Sequence, residues 1–242
     1  MIVVRNKRTS GTERRTYSMS AVMDCAQRLF VSQGYHGTPV EQIAQCAGLT
    51  KAAVFFYFVD KQSLLNAVLE RVEEQVYRPL FEELAQTETS ASERLVTFLH
   101  RQAVVGAEDA DMLLLPVTIS KEFSGSDNPA GQRVRKLYDQ KYAAIEQVVA
   151  DGQRSGEFSQ HASAAALASV IVAIHDGMLL EWLRQGRHGE IDGQALVRAM
   201  RLIVLHGLMD QTATHGQSCN MDPPERSSKD VDVGGIEPRA EE

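Results

Sequence analysis

The sequence predicts an all-α protein: a small N-terminal three-helix unit carrying a helix-turn-helix, joined to a larger helical domain. Three observations lead there. Apolar residues recur three and four positions apart in one segment after another, which is the spacing of a helix face. Residues 38–61 fit two short helices around a tight turn. Charge is unevenly divided: the first 61 residues hold eight Lys/Arg against four Asp/Glu, and the remainder holds seventeen against twenty-eight. Within a formal net charge of −7, a basic head therefore sits on an acidic body. Positive charge is gathered where phosphates would lie, and the acidic remainder discourages non-specific adhesion.

Residues 1–17 carry Arg5, Lys7, Arg8, Arg14 and Arg15 without apolar periodicity, so a basic disordered arm is expected. Two readings stay open: a solvated tail, or an arm that adds phosphate or minor-groove contacts. Over residues 18–33, Ala21, Val22, Cys25, Ala26, Leu29 and Phe30 form a helical stripe, closed by Gly34 as C-terminal cap. Cys25 fits a small core residue. With Cys46 and Cys219 it makes three cysteines, too few and too scattered to predict a disulfide framework or a zinc site.

The next segment is the most specific. Helices are expected around residues 39–46 and 50–56, separated by Ala47-Gly48-Leu49. Gly48 supplies the backbone freedom the turn needs, and the Thr50 hydroxyl suits an N-cap. Ile43, Ala44, Ala47, Leu49 and Val54 would lock the two helices at an angle. This is a helix-turn-helix, which lays its second helix in a DNA major groove. Lys51, Ala52, Ala53, Phe56 and Tyr57 are expected to face that groove. Lys51 would donate to guanine or phosphate, with Ala52, Ala53 and Phe56 against thymine methyls. Thr38 and Thr50 hydroxyls suit phosphate oxygens, and Gln42 is placed to reach a base edge. Phe55 and Phe58, flanking the exposed pair, are expected in the core.

Asp60 reads as the N-cap of a long amphipathic helix over residues 64–84. Residues 87–92 are a polar break. Helices are then expected at 95–105 and 112–123, the second kinked by Pro116, followed by a loop at 124–129. Further helices span 130–154, 161–183 and 196–209. Residues 212–242 are rich in Gly, Pro, Ser, Asp and Glu and read as a disordered acidic tail, with Cys219 incidental. The domain boundaries expected are thus 1–17, 18–62, 63–211 and 212–242. Met112, Leu115, Ile119, Phe123, Tyr142, His175, Met178 and Trp182 combine apolar bulk with sparse polar groups, as a pocket for a small organic molecule requires. Trp182 fits a pocket wall or a dimer interface equally well.

The run Gly34-Tyr35-His36-Gly37-Thr38-Pro39-Val40-Glu41-Gln42-Ile43-Ala44, then Ala47-Gly48-Leu49-Thr50-Lys51, then Val54-Phe55-Phe56-Tyr57-Phe58 and Lys61 resembles the DNA-binding domain of the tetracycline-repressor (TetR) family, over about residues 18–69. The resemblance implies a homodimer formed through the last two helices, a double-stranded DNA operator, and a ligand-binding and dimerisation domain that answers a small apolar or amphipathic effector. Tyr57 and Lys61 match family positions that grip the DNA backbone. Phe55 stands where the family usually has tyrosine, and Val59 where a polar residue is common.

Other classes are disfavoured by what the sequence lacks. It holds no GxSxG elbow, glycine-rich phosphate loop, HExxH or metal-spaced Cys/His cluster, so no enzyme, cofactor or metal is expected. No signal-peptide pattern and no unbroken apolar run of bilayer length is read, so a cytoplasmic location without membrane contact is expected. The expected function is sequence-specific transcriptional regulation, a repressor released from an inverted-repeat operator by a small ligand. The alternatives are an activator of the same fold or a helical adaptor that no longer binds DNA.

Overall fold

Why the chain bends where it does is set by a few caps and one proline. The structure, a computed structural model, describes residues 11–185 and 193–209. The expectations for residues 1–10, for the tail over 212–242 and for Cys219 lie outside the described residues. Helix α1 runs Gly11–Gln33 and enters the segment expected to be a disordered arm. The apolar stripe marks where that helix packs against the core. Upstream, residues without a breaking proline extend an already nucleated helix at little cost. Gly34 ends α1 at φ +76.

Helices α2 (Val40–Cys46) and α3 (Lys51–Tyr57) flank a turn in which Gly48 adopts φ +67, a left-handed conformation that L side chains rarely take. The Thr50 hydroxyl accepts from the Ala53 amide at 3.2 Å and starts α3. Helix α4 (Lys61–Val72) opens on a reciprocal Asp60–Ser63 capping box. Residues Glu73–Tyr77 then form a π turn before α5 (Arg78–Leu84), so the expected continuous helix carries a widened turn. Pro79 explains it: proline has no N–H, and its ring would crowd the carbonyl of Gln75 four residues back.

The body continues with α6 (Ala91–Asp109), α7 (Asp111–Glu122), α8 (Pro129–Ser155), α9 (Ala164–Gln185) and α10 (Gly193–Leu208). Helix α7 carries Pro116 buried in its interior. Helices α8 and α9 pack most extensively together, while α1 packs on both α4 and α7. The core runs from the head into the body through Phe30, Leu64, Leu65, Val68, Leu115 and Ile119.

Two details correct the sequence reading. Cys25 and Cys46 are joined in a disulfide between α1 and the end of α2, their Cα atoms 5.8 Å apart. Their separation of 21 residues gave no sign of this. Only the crossing of the two helices brings the side chains together. Second, α9 over Ala164–Arg184 is, by length and composition, apolar enough to cross a bilayer. Part of its apolar character is an outward face, with Val170 at 54% and Leu183 at 40% exposure.

One joint between head and body lies at the end of α7. The Glu122 carboxylate, ending α7, accepts from the Tyr35 and His36 amides, each at 2.6 Å. The Phe123 ring lies 5.4 Å from both the Tyr35 and His36 rings. Glu122→Ala removes a charged acceptor from two amides and is expected to cost about 2–3 kcal/mol. Thermal unfolding would show the loss, and amide exchange would show it concentrated at Tyr35 and His36.

Candidate nucleic-acid interface and effector cavity

Successive residues of a helix lie about 100° apart, so Lys51, Phe55, Ala52 and Phe56 fall on one stripe of α3. The structure exposes that stripe: Lys51 and Ala52 are open, with Phe55 at 40% and Phe56 at 68% exposure. Val54, on the far side, is buried. Phe55 is thus not a core residue as expected, because its angular position lies between Lys51 and Ala52. Phe58 is buried as expected. Ala53 and Tyr57 of α3 and Gln42 of α2 are half-buried.

Cations surround the two rings. Lys51 Nζ lies 5.7 Å from the Phe55 centroid, and the guanidinium of Arg15 lies 5.1 Å from that of Phe56. The amino-terminal extension of α1 is what brings Arg15 there. Lys51 also pairs with Glu41, whose carboxyl is held below its usual range chiefly by that hydrogen bond. Both partners are exposed, so a DNA phosphate or guanine edge can displace Glu41 at small cost.

Two expected contacts are corrected. Thr38 is fully buried, and its hydroxyl donates to the Gly34 and Leu29 carbonyls at 2.7 and 3.2 Å, leaving nothing for a phosphate. Lys61 Nζ donates to the Tyr35 and Thr38 carbonyls at 2.8 and 3.1 Å and sits 4.3 Å from the Tyr35 ring. Its ammonium staples α4 to the α1–α2 turn instead of projecting outward. Thr50 remains exposed at the start of α3, its hydroxyl engaged as the cap.

In the body, a cavity of about 440 Å³ opens between α6, α7, α9 and α10. Of the expected residues, His175, Met178 and Trp182 line it. Met112, Leu115, Ile119, Phe123 and Tyr142 do not. Leu115 and Ile119 are fully buried core, Phe123 serves the head joint, and Tyr142 stacks beside Tyr138 at 6.2 Å. Met112 packs half-buried against the core. Leu113 and Leu179, apolar residues of the same expected pocket, line it too, whereas Gln102, Gly106 and Asp109 were missed, because they face the cavity only through the crossing of four helices.

The polar side of this region is built from α8 and α9. Lys141, buried to 1% exposure, donates to Asp176 Oδ1 at 3.1 Å, and the Tyr138 hydroxyl donates to Asp176 Oδ2 at 2.7 Å. His175 Nδ1 lies 3.0 Å from Asp176 Oδ1. Burial, reinforced by Lys141, pushes His175 down to about 4, so it is neutral near pH 7. Burial also raises Asp176, but His175, Lys141 and Tyr138 together outweigh it and bring it to about 2. Desolvation lowers Lys141, with Asp176 opposing.

The cavity wall reaches the head directly. Asp109, the last residue of α6, accepts from Gln27 Nε2 of α1 at 2.9 Å. Gln27 Oε1 in turn accepts from Arg71 of α4 at 2.7 Å, and Arg71 pairs with Asp24. A wider groove of about 790 Å³ lies among α5, α6 and α8. Its polar groups satisfy one another: Arg94 binds Asp151 and the Leu84 carbonyl, and Glu157 caps the Ala91 and Ser92 amides.

Residues 22–68 match the family model described as bacterial regulatory proteins, tetR family. The MbdR regulator from Azoarcus sp. CIB is 35% identical, with a TM-score of 0.72 covering 80% of this chain and 100% of that one. The HTH-type transcriptional repressor BepR of Brucella suis biovar 1 (strain 1330) is 23% identical over 190 residues, 76% of this chain and 87% of that protein. A regulator from Saccharomonospora viridis, solved in complex with choline, shares the fold at 23% identity and a TM-score of 0.66, covering 81% and 100%.

Proposed function

Because this chain belongs to the TetR family of DNA-binding transcriptional regulators, we propose that it is a homodimeric repressor that leaves an inverted-repeat operator when a small organic ligand fills the α6–α7–α9–α10 cavity. The observation that carries the reading is the hydrogen bond that Gln27 Nε2, in the DNA-reading head, donates to Asp109 in the cavity wall. A ligand that displaces the end of α6 alters a contact that orients α1 and, through Arg71, α4. Such a ligand changes DNA affinity only to the extent that it favours one arrangement of the heads over the other. The repressor name of BepR and the choline bound to the Saccharomonospora viridis regulator support repression and ligand binding respectively.

The stripe of α3 is the proposed reading surface, with Lys51 and the two phenylalanines against base edges and thymine methyls. One small head offers few contacts, so useful affinity requires two, spaced about one helical turn of DNA, roughly 34–36 Å, or a multiple of it. The proposed dimer face is the outward side of α9 and α10. Ala166, Val170, Ala173 and Gly177 are exposed at helical spacing, beside Leu202 at 59% and Ile203 at 60% exposure. Small residues there allow close helix approach, and the apolar area favours a partner of the same kind. Leu202→Glu with Ile203→Glu is expected to give monomers in sedimentation and to weaken DNA binding roughly a hundredfold or more.

Selection of bound fragments from a random DNA pool at about 150 mM salt tests the proposal. Enrichment of one inverted repeat supports it. Retention that falls steeply with salt but enriches no sequence would point to non-specific coating, and no retention to an adaptor.

A further inference from the structure

Gln102 projects from α6 and is 2% exposed, yet neither its Nε2 nor its Oε1 has a hydrogen-bond partner. His175 from α9 is fully buried, and its Nε2 is likewise unpartnered. Both residues line the same cavity, together with Leu113, Met178, Leu179 and Trp182. A buried amide and a buried imidazole nitrogen without partners are costly to leave unpaired. Two of them at one cavity describe the polar end of a binding site.

Their chemistry is specific. Asp176 is a carboxylate and can only accept, so its 3.0 Å contact with His175 Nδ1 is attractive when Nδ1 carries the proton. Lys141 Nζ also lies 3.2 Å from His175 Nδ1; its ammonium is engaged by Asp176 Oδ1 at 3.1 Å and the Tyr138 ring face at 5.3 Å, so the Nδ1 proton is assigned to the shorter contact with Asp176. His175 Nε2 is then a bare acceptor. The site offers one donor group, the Gln102 NH2, and two acceptors, Gln102 Oε1 and His175 Nε2. Among the described residues lining the cavity no Lys or Arg appears, and the acidic side chains of Glu108 and Asp109 do. A carboxylate would bring two acceptors, no donor and a repelled charge. A primary carboxamide brings one carbonyl acceptor and two N–H donors, the complement of the set.

Resting on the reading of this cavity as the effector site, we propose that it binds an uncharged primary carboxamide carried on an apolar ring, and selects it over the corresponding carboxylate. The amide carbonyl accepts from Gln102 Nε2, and its two N–H groups donate to Gln102 Oε1 and His175 Nε2. The ring packs among Leu113, Met178, Leu179 and Trp182. A volume of about 440 Å³ suits a substituted monocyclic ligand.

Trp182 is the chain's one tryptophan and lies in the cavity wall, so its emission reports occupancy. The test titrates the full chain with 4-butylbenzamide and 4-butylbenzoate, molecules of nearly the same shape that differ in charge and donors. The expected result is a saturable emission change with the amide, at roughly tenfold or greater preference over the benzoate. Gln102→Leu is expected to reduce amide affinity by about tenfold or more while raising the melting temperature, since it removes an unpaired buried amide. A glutamine serving only structure would lower that temperature when replaced. Benzoate binding as tightly as the amide, no saturable response to the amide, or unchanged amide affinity in Gln102→Leu would overturn the assignment. Titration of the selected operator in the same preparation separates the two readings. Intact operator binding confines the failure to the ligand chemistry, and lost operator recognition would bring down the regulator reading as well.

Discussion

Lys141→Met is expected to lose on the order of 3–5 kcal/mol, the largest effect of any single change considered. Lys141 and His175 are almost wholly buried and Asp176 largely so, and Lys141 is the one cation touching that carboxylate among the described contacts. Without it, Asp176 keeps its charge in a dry setting with only Tyr138 and His175 as donors. Adding Asp176→Leu should recover most of the loss, because a buried pair replaced whole by apolar groups is near neutral. Urea unfolding of wild type, both single variants and the double variant would measure the coupling. A loss under about 1 kcal/mol for Lys141→Met alone would mean that water reaches the cluster.

The same cluster sets an acid limit. Asp176 has a folded value of about 2 against its ordinary 3.8, so its contribution is present above that ordinary value and is lost as pH falls through the folded one. His175 works in a higher window. With a folded value of about 4 against an ordinary 6.5, the unfolded chain takes up a proton there that the folded chain refuses. Stability should therefore fall as pH drops from about 6.5 toward 4. His175→Gln should flatten that part of the curve and leave the lower, carboxylate-driven part in place.

Reduction of the Cys25–Cys46 bond is expected to remove about 3 kcal/mol, the value for a closed loop of this order of length. The loop encloses the end of α1, the α1–α2 turn and all of α2, so the head should loosen first. Reductant reaches the bond through Cys46, which is exposed, whereas Cys25 is buried. Arg28 Nη2 lies 3.4 and 3.5 Å from the two sulfurs and would favour the thiolates once they form. Melting with and without dithiothreitol, alongside the Cys25→Ser/Cys46→Ser double variant, measures the effect. The variant should melt at the lower temperature and ignore the reductant. Equal melting of all forms would mean that the cross-link restrains nothing.

The sequence was most readable where structure is local. Gly48 and Thr50 mark the turn and the start of α3 because a positive φ and an N-cap need only neighbours in sequence. Asp60 and Ser63 do the same for α4. Phe55 was misplaced for a different reason: it was read as flanking the exposed Phe56–Tyr57 pair, while its helix angle puts it on the stripe of Lys51 and Phe56. Lys61 bonds to carbonyls of the α1–α2 turn, contacts that exist only once α4 is docked, and Thr38 turns inward to the Gly34 and Leu29 carbonyls where the chain folds back on the end of α1. The disulfide and the cavity are tertiary outcomes, whereas the π turn over Glu73–Tyr77 follows from Pro79, a local signal that was not read. His175, Met178 and Trp182 fell on the cavity because they share one face of α9. Gln102 and Asp109 could not be paired with them before α6 was placed beside it.

Whether filling the cavity moves the head can be tested without an identified effector. Gly106 lines the cavity, and a side chain begun there meets only the Leu113 methyl at 3.6 Å, an ordinary contact. Gly106→Leu puts a fixed apolar group into the space and favours α6 as a helix. The decisive measurement is the affinity of this variant for the selected operator, compared with wild type and with Gln27→Leu. Gly106→Leu is expected to stay folded and dimeric and to bind operator roughly tenfold or more weakly. Adding Gln27→Leu is expected to remove most of the difference between filled and unfilled cavities. Operator affinity unchanged in a folded Gly106→Leu dimer would contradict that coupling, and the cavity would then be a feature of packing alone.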